Sequence, residues 1–386
     1  MFAAHQVYSL PPDKLQRAIE YAHAGYWLHF SSEIYIIVIL AAIIFSGLAA
    51  KFRDWAVTAS HRRFVQALIF VPLLLAVNDL AYLPANIYGQ HLERKFDQSI
   101  QSWPSWFWDW TKTELITLVC AVPVALFLYA VIRRSPRRWW LYFWLASLPM
   151  IAAVMYLEPM IIEPMFYRFE PLAATHPALV DQLEKLVARG GLAIPADRMF
   201  EMKASEKLNS LNAYVSGFGG SKRVVVWDTT LQKLTTPETL FVFGHEMGHY
   251  VLNHIRNSLA LLALALLALF WAGSHVVRWM VPDVGDWTSL PVLLLIVAVA
   301  SAISEPIVNT YSRWQEHQAD LFALKITRGI VAPAAAAHSF QVMGEIGLDE
   351  PNPDPFIVFW LYSHPSTSSR FDLALSGDPV RLNPSQ

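Results

Sequence analysis

Residues 243–250 read Phe243-Gly244-His245-Glu246-Met247-Gly248-His249-Tyr250, and nine positions later the chain becomes the apolar run Leu259–Met280. Pro237–His254 reads as one helix containing His-Glu-x-x-His. Residues four apart share a helix face, so His245 and His249 can place two imidazoles on one metal ion. Glu246 lies about 100° further round, close enough to reach a water at that metal without being a ligand. Two ligands and a general base are parts of a zinc-hydrolase site. With 13 histidines in the chain, a chance His-x-x-x-His pair on an ordinary surface helix is unsurprising. Requiring Glu after the first His lowers the chance expectation to roughly a few per cent.

Working outward, the apolar run is one of six long enough to cross a bilayer at about 20 residues each. They are Ile34–Ala50, Phe64–Leu83, Leu115–Ile132, Trp139–Leu157, Leu259–Met280 and Leu290–Tyr311. Asp13–Phe30 is amphipathic and is read as an extension of the first span. The composition agrees: 55% of residues are hydrophobic, only 16% are charged and the mean hydropathy is +0.34. Fifteen Trp and 22 Phe fit aromatic belts at the membrane interfaces. A single cysteine, Cys120, excludes an intrachain disulfide framework and a Cys-rich metal site. A net charge of −2 gives no case for nucleic-acid binding. No cleavable signal pattern precedes the first long apolar run.

Several spans carry polar residues: Asn78 and Asp79 in the second, Glu305 and Asn309 in the sixth. A carboxylate in the bilayer costs roughly 2.5–3.5 kcal/mol on insertion scales and normally faces protein or water. Glu305, Asn309, Ser312, Glu316 and Asp320 fall within about 80° of one helix face. The expected fold class is therefore mainly α and polytopic. About six spans surround a polar chamber, with a metal-binding domain that carries a small β-hairpin or sheet. The expected domains are 1–157 (four spans), 158–258 (soluble, with the His-Glu-x-x-His helix), 259–311 (a two-span hairpin) and 312–386 (a helical C-terminal part). Within the soluble insert, Pro177–Arg189 reads as an amphipathic helix. Met199–Lys203, Ala213–Gly217 and Arg223–Trp227 read as strands, with a turn at Gly217–Lys222. Such a hairpin offers an edge to which an extended peptide can pair. The last stretch reads as helical to about Gly344 and then Pro-rich.

Two carboxylates downstream are candidates for a third metal ligand. Glu316 and Asp320 are again four apart. One can complete a His-His-Glu set and the other can accept a hydrogen bond from a liganding imidazole. Spacing alone leaves a solvated Glu/Asp pair on a helix end equally open.

The motif His245–His249, followed after an apolar hairpin by Ser312-Arg313-Trp314-Gln315-Glu316-His317-Gln318-Ala319-Asp320, resembles the membrane-embedded zinc metalloproteases of the CaaX prenyl protease type 1 class. Ser210–Phe218 with Lys222–Leu231 resembles that family's Asn-Ala-Tyr strand and hairpin. Ser363-His364-Pro365 with Arg370 resembles its Ser-His-Pro motif. The resemblance implies one Zn2+ per chain on His245, His249 and Glu316, Glu246 as general base, and Asp320 behind the ligands. It further implies His364 as oxyanion stabiliser, Arg370 positioning it or the substrate carbonyl, and Asn212 holding the substrate backbone. Two departures stand out: eukaryotic members have seven spans against six here, and His317 replaces the usual Phe.

The function read from this is an integral-membrane zinc metalloendopeptidase of CaaX-type C-terminal processing. The rivals are a membrane-protein quality-control protease with the same site, and a non-catalytic zinc-containing transporter or scaffold in which Glu246 would have no role. The expected partners are a peptide or protein substrate, prenylated and membrane-bound ones included, and the lipid bilayer. The expected location is a bacterial inner membrane, ahead of an endoplasmic reticulum. Orientation is in conflict. Lys51, Arg53, Arg62, Arg63 and the run Arg133–Arg138 make the most basic short loops, which the positive-inside rule puts in the cytoplasm, opposite the catalytic domain. The resemblance implies a cytoplasmic catalytic side, and that orientation is preferred.

Overall fold

The computed structural model describes residues 7–217 and 223–377. The expected turn at Gly217–Lys222 therefore lies, beyond Gly217, outside the described residues. The membrane part begins with α1 (Pro12–Phe45), α2 (Leu48–Ala59), α3 (Arg63–Lys95), α4 (Trp103–Arg134) and α5 (Trp139–Leu157). A π-helical turn, Glu158–Ile162, joins α5 to the short α6 (Glu163–Phe166). Six helical segments among the described residues are long and apolar enough to cross a membrane, and the chain is a multi-pass membrane protein. Asp13–Phe30 does extend the first span: α1 is one helix of 34 residues. That helix breaks at Ser46-Gly47, where Gly47 takes φ 75°, so the expected end of the span at Ala50 instead belongs to α2. Cys120, in an apolar run, is exposed on the bundle surface rather than packed inside it.

The second part carries β1 (Phe169–Pro171), α7 (Leu172–Thr175), α8 (Pro177–Arg189), β2 (Met199–Met202), β3 (Ala213–Ser216) and β4 (Arg223–Trp227). It continues through α9 (Asp228–Lys233), α10 (Thr236–Val251), α11 (His254–Met280) and α12 (Ser289–Ile326) to α13 (Pro333–Gly347), α14 (Pro355–Leu361) and α15 (Thr367–Ser376). The strands form one sheet in the order β1-β2-β4-β3, with β2 and β4 parallel and the outer pairs antiparallel. β3 is thus an edge, in register Ala213 with Val226 and Ser216 with Arg223.

Two differences from the sequence reading have clear causes. Pro237–His254 is not one helix. Asn253 adopts φ 59° and ends it, so that His254 opens α11. The Pro-rich C-terminal stretch contains two further helices, because Pro355 occupies a first-turn position and Asp354 and Ser366 cap the helices that follow them.

Long helices couple the two parts. At 1.5 Å per residue α12, with 38 residues, spans about 57 Å, well beyond a hydrocarbon core of roughly 30 Å. Its N-terminal half lies in the membrane bundle and its C-terminal half packs against α10. Leu15, Tyr21, Ala24 and Leu28 of α1 likewise leave the bundle to pack on the core around Phe241, Phe243 and Met247. Within the bundle, polar residues pair across helices. His29 Nε2 of α1 lies 3.1 Å from Glu305 Oε2 of α12, and the Glu114 carboxyl of α4 faces that of Asp79 in α3.

Candidate metal centre

α10 presents its ligands because two glycines on a neighbouring face let α12 approach closely. A Cβ at Gly248 would stand 3.0 Å from Ala319 Cα and 3.2 Å from Ala319 O. At Gly244 it would meet Ile326 Cγ2 at 3.2 Å and Thr327 Cγ2 at 3.3 Å. The helix backbones therefore come nearly into contact, and the carboxylates of α12 fall beside the imidazoles of α10. The helix begins at Thr235, whose backbone N–H donates to Glu238 Oε2 at 2.6 Å.

His245, His249 and Glu316 converge, each with a ligand atom within 4.8 Å of the others. His245 Nε2 lies 3.1 Å from Glu316 Oε2, and His249 Nε2 lies 3.3 Å from Glu316 Oε1. The two Nε2 atoms face one another at 3.1 Å. Asp320 stands behind them, its Oδ1 2.7 Å from His245 Nδ1. An N–H at Nδ1 donating to that carboxylate leaves the Nε2 lone pair free. Glu246 Oε1 is 4.0 Å from His245 Nε2, beside the cluster rather than in it.

Other elements bring the remaining residues. His364, in the segment between α14 and α15, places Nε2 3.3 Å from Glu316 Oε2 and Nδ1 2.9 Å from Ser363 Oγ. Asn212 precedes edge strand β3 and lines a cavity shared with Val242, His245, Glu246, Met343 and His364. Its backbone is held by Thr230, and among the described residues its side-chain amide makes no hydrogen bond. Arg370 lines the same cavity as Asn212 and His364. Its guanidinium grips Asp320 with two bonds, Nε to Oδ2 at 2.9 Å and Nη2 to Oδ1 at 2.8 Å. It thus orients the carboxylate that orients His245.

One residue escaped the sequence reading. His254 is buried, and its Nδ1 faces His249 Nδ1 at 3.1 Å, while Gln315 Nε2 donates to its carbonyl at 3.2 Å. The available signal was a histidine five positions after His249, at the foot of an apolar helix. A helix read through that point hid it.

The donor set fits a metal ion. Glu316 Oε2 is buried without a hydrogen bond, although His245 Nε2, His364 Nε2 and Arg370 Nη2 stand 3.1, 3.3 and 3.8 Å away. An orphaned carboxylate oxygen facing two ring nitrogens is what a cation satisfies. The surroundings also favour positive charge. Burial opposes a charged His245, yet Asp320 and Glu316 outweigh it and push the ring up to about 9. Burial pushes the Glu246 carboxyl above its ordinary range, against the pull of the two imidazoles. A raised proton affinity suits a base that must accept a proton from water.

The comparisons with known proteins agree with this geometry. The family model described as Peptidase family M48 matches residues 173–376. The one described as CAAX prenyl protease N-terminal, five membrane helices, matches residues 5–168. An "Uncharacterized metalloprotease YhfN" of Bacillus subtilis is 33% identical over 95% of this chain and 86% of its own length. A "CAAX prenyl protease 1 homolog" of Arabidopsis thaliana is 24% identical over 96% of this chain and 89% of its own. In fold, the chain is similar to the crystal structure of S. mikatae Ste24p, with a TM-score of 0.80 and 23% identity over 95% of this chain and 89% of that one. With the first model covering just over half of its length, the chain belongs to peptidase family M48 and is a membrane-embedded metallopeptidase.

Proposed function

We propose that the chain is a zinc endopeptidase acting on membrane-tethered, CaaX-type C-terminal segments, with His245, His249 and Glu316 holding one zinc ion. The observation that carries the reading is the buried Glu316 oxygen left without a partner between two imidazoles, with Glu246 standing just outside that cluster. Bound there, zinc supplies Lewis acidity towards water and a carbonyl. The chain's own residues do the rest. Glu246 Oε1 accepts the proton of the attacking water and passes it to the leaving amine. A Ser363 hydroxyl donating to His364 Nδ1 leaves the His364 proton on Nε2, the nitrogen turned towards the site, where it stabilises oxyanion charge. The free amide of Asn212 and edge strand β3 hold an extended substrate backbone. Asp320, itself held by Arg370, keeps His245 in the tautomer that can ligate.

Support for the substrate class comes from the relatives that are named CAAX prenyl proteases. The Bacillus relative supports a bacterial membrane, and the catalytic part belongs on its cytoplasmic side, the orientation that the family resemblance implies. The test is cleavage by the purified protein in liposomes of three substrates: a farnesylated CaaX peptide, the same peptide unmodified and an unfolded membrane protein. Preference for the farnesylated peptide is expected. Equal or faster cleavage of the unfolded protein assigns quality control instead. A reporter fused after Gln386 that works only outside the cytoplasm overturns the orientation.

A further inference from the structure

The end of the bundle remote from the metal has its own chemistry. Between α3, α4, α5, α11 and α12 lies a cavity of about 240 Å³, walled by side chains such as Leu74, Ala125, Trp139, Phe143 and Leu294. Val297 on its rim is exposed, so the space is not sealed. Its walls offer water almost no hydrogen-bond partner, and apolar cavities of this order stay dry. Close packing then calls for hydrocarbon.

One polar atom on that wall is unsatisfied. Trp139 is only 2% exposed, and its indole Nε1 is buried with no acceptor. Immediately before Trp139 come Arg133-Arg134-Ser135-Pro136-Arg137-Arg138. None of these four arginines makes a side-chain hydrogen bond or a salt bridge among the described residues. The loops of this end and the helix turns beside them carry nine Lys and Arg (51, 53, 62, 63, 133, 134, 137, 138, 278) against three Asp (54, 283, 286). An apolar slot, an orphaned donor at its wall and unpaired guanidiniums at the adjoining turn match one ligand from tail to head. Guanidinium is the side chain best suited to phosphate.

We infer that this end binds an anionic glycerophospholipid of the surrounding bilayer, with one acyl chain in the cavity. An ester oxygen accepts the Trp139 N–H, and the phosphate lies on the arginines of residues 133–138. The site is separate from the metal centre. From Val297 to Glu316 is 19 residues along α12, or roughly 28 Å. The inference also removes the orientation conflict, because arginines that hold lipid phosphate can serve in either leaflet and need not mark the cytoplasmic side.

The test uses the full-length protein, delipidated in mild detergent and equilibrated with equimolar phosphatidylglycerol and phosphatidylcholine of identical acyl chains. Bound lipid is read by native mass spectrometry. Phosphatidylglycerol is expected to be retained preferentially, and each of R134Q, R137Q and R138Q should lower the preference about fivefold where that arginine contacts the phosphate. Ala125→Phe, which fills the slot, should lower retention of both lipids while peptide cleavage persists. Equal retention of the two lipids by the wild-type protein, or an unchanged ratio in the triple arginine variant, overturns the inference. So does unchanged total lipid in Ala125→Phe. The arginine variants change surface residues only, so they decide the matter even where the cavity variant fails to fold.

Discussion

The two ends of α12 show opposite kinds of incompleteness. At the C-terminal end, charges are dense and mutually engaged: Arg370 grips Asp320, which faces His245, which faces Glu316. What is left over is an acceptor, Glu316 Oε2. At the N-terminal end, the four arginines of residues 133–138 make no side-chain hydrogen bond or salt bridge among the described residues, Arg133 lying only over the Tyr129 ring, and what is left over is a donor, Trp139 Nε1. A buried acceptor among imidazoles calls for a cation, and a buried donor beside an apolar slot calls for an ester or phosphate oxygen. Unsatisfied polar atoms are few in folded proteins, so their sign is informative about the missing partner.

The sharpest way to break the comparison is at the catalytic end. Glu246→Gln keeps the size and hydrogen-bonding reach of the side chain but removes the base. Peptide cleavage should fall by about 10²–10⁴-fold with the metal retained. Near wild-type turnover by that variant would remove Glu246 from the chemistry. Its lipid selectivity should match wild type, since sites this far apart do not couple.

Next in size is Asp320→Asn, which leaves Arg370 and His245 without their shared carboxylate. Loss of metal affinity or activity by about 10–100-fold is expected, read by metal titration against a chelator. Unchanged affinity would mean that His245 holds its tautomer without help. His254→Phe sharpens the same point for the second imidazole, because the ring is kept and only the contact to His249 Nδ1 is lost. An effect at the lower end of the same range, about tenfold, is expected, with the fold intact by circular dichroism. No change in metal affinity would make His254 a packing residue.

These effects divide along the line of what the sequence could reveal. Periodicity and length exposed the spans, and the spacing of His245, Glu246 and His249 exposed the ligand helix, because helical geometry maps directly onto sequence intervals. Glu316 was visible as a candidate only, since nothing in local spacing says which distant carboxylate meets two imidazoles. The grip of Arg370 on Asp320 and the place of His254 depend on how α10, α11 and α15 pack, so they stayed hidden. Gly244 and Gly248 were in plain view inside the motif. Their role as the surface on which α12 rests needs the partner helix to be seen. Trp139 looked like any interfacial tryptophan until its N–H proved to be buried without an acceptor.

The smallest effect concerns the start of the ligand helix. Glu238 is 95% buried, accepting from Thr235 N–H at 2.6 Å and Thr235 Oγ1 at 2.8 Å, and it contacts His338. Burial alone would raise its carboxyl, but the Thr235 donors and His338 outweigh that and hold it below the ordinary carboxylate range. A carboxyl lowered on folding contributes stability that is complete above its unfolded pKa and is lost as pH falls through the folded one. Replacing it by Gln should therefore cost about 1 kcal/mol at neutral pH, the usual worth of a helix cap. That difference should shrink as the pH falls below the ordinary carboxylate range. Thermal unfolding of both proteins across that interval is the measurement. A gap that stays constant with pH would mean that Glu238 holds the helix by shape, not by charge. Metal affinity should move little, because the glycine contacts with α12 hold the ligand turn independently of its first residues.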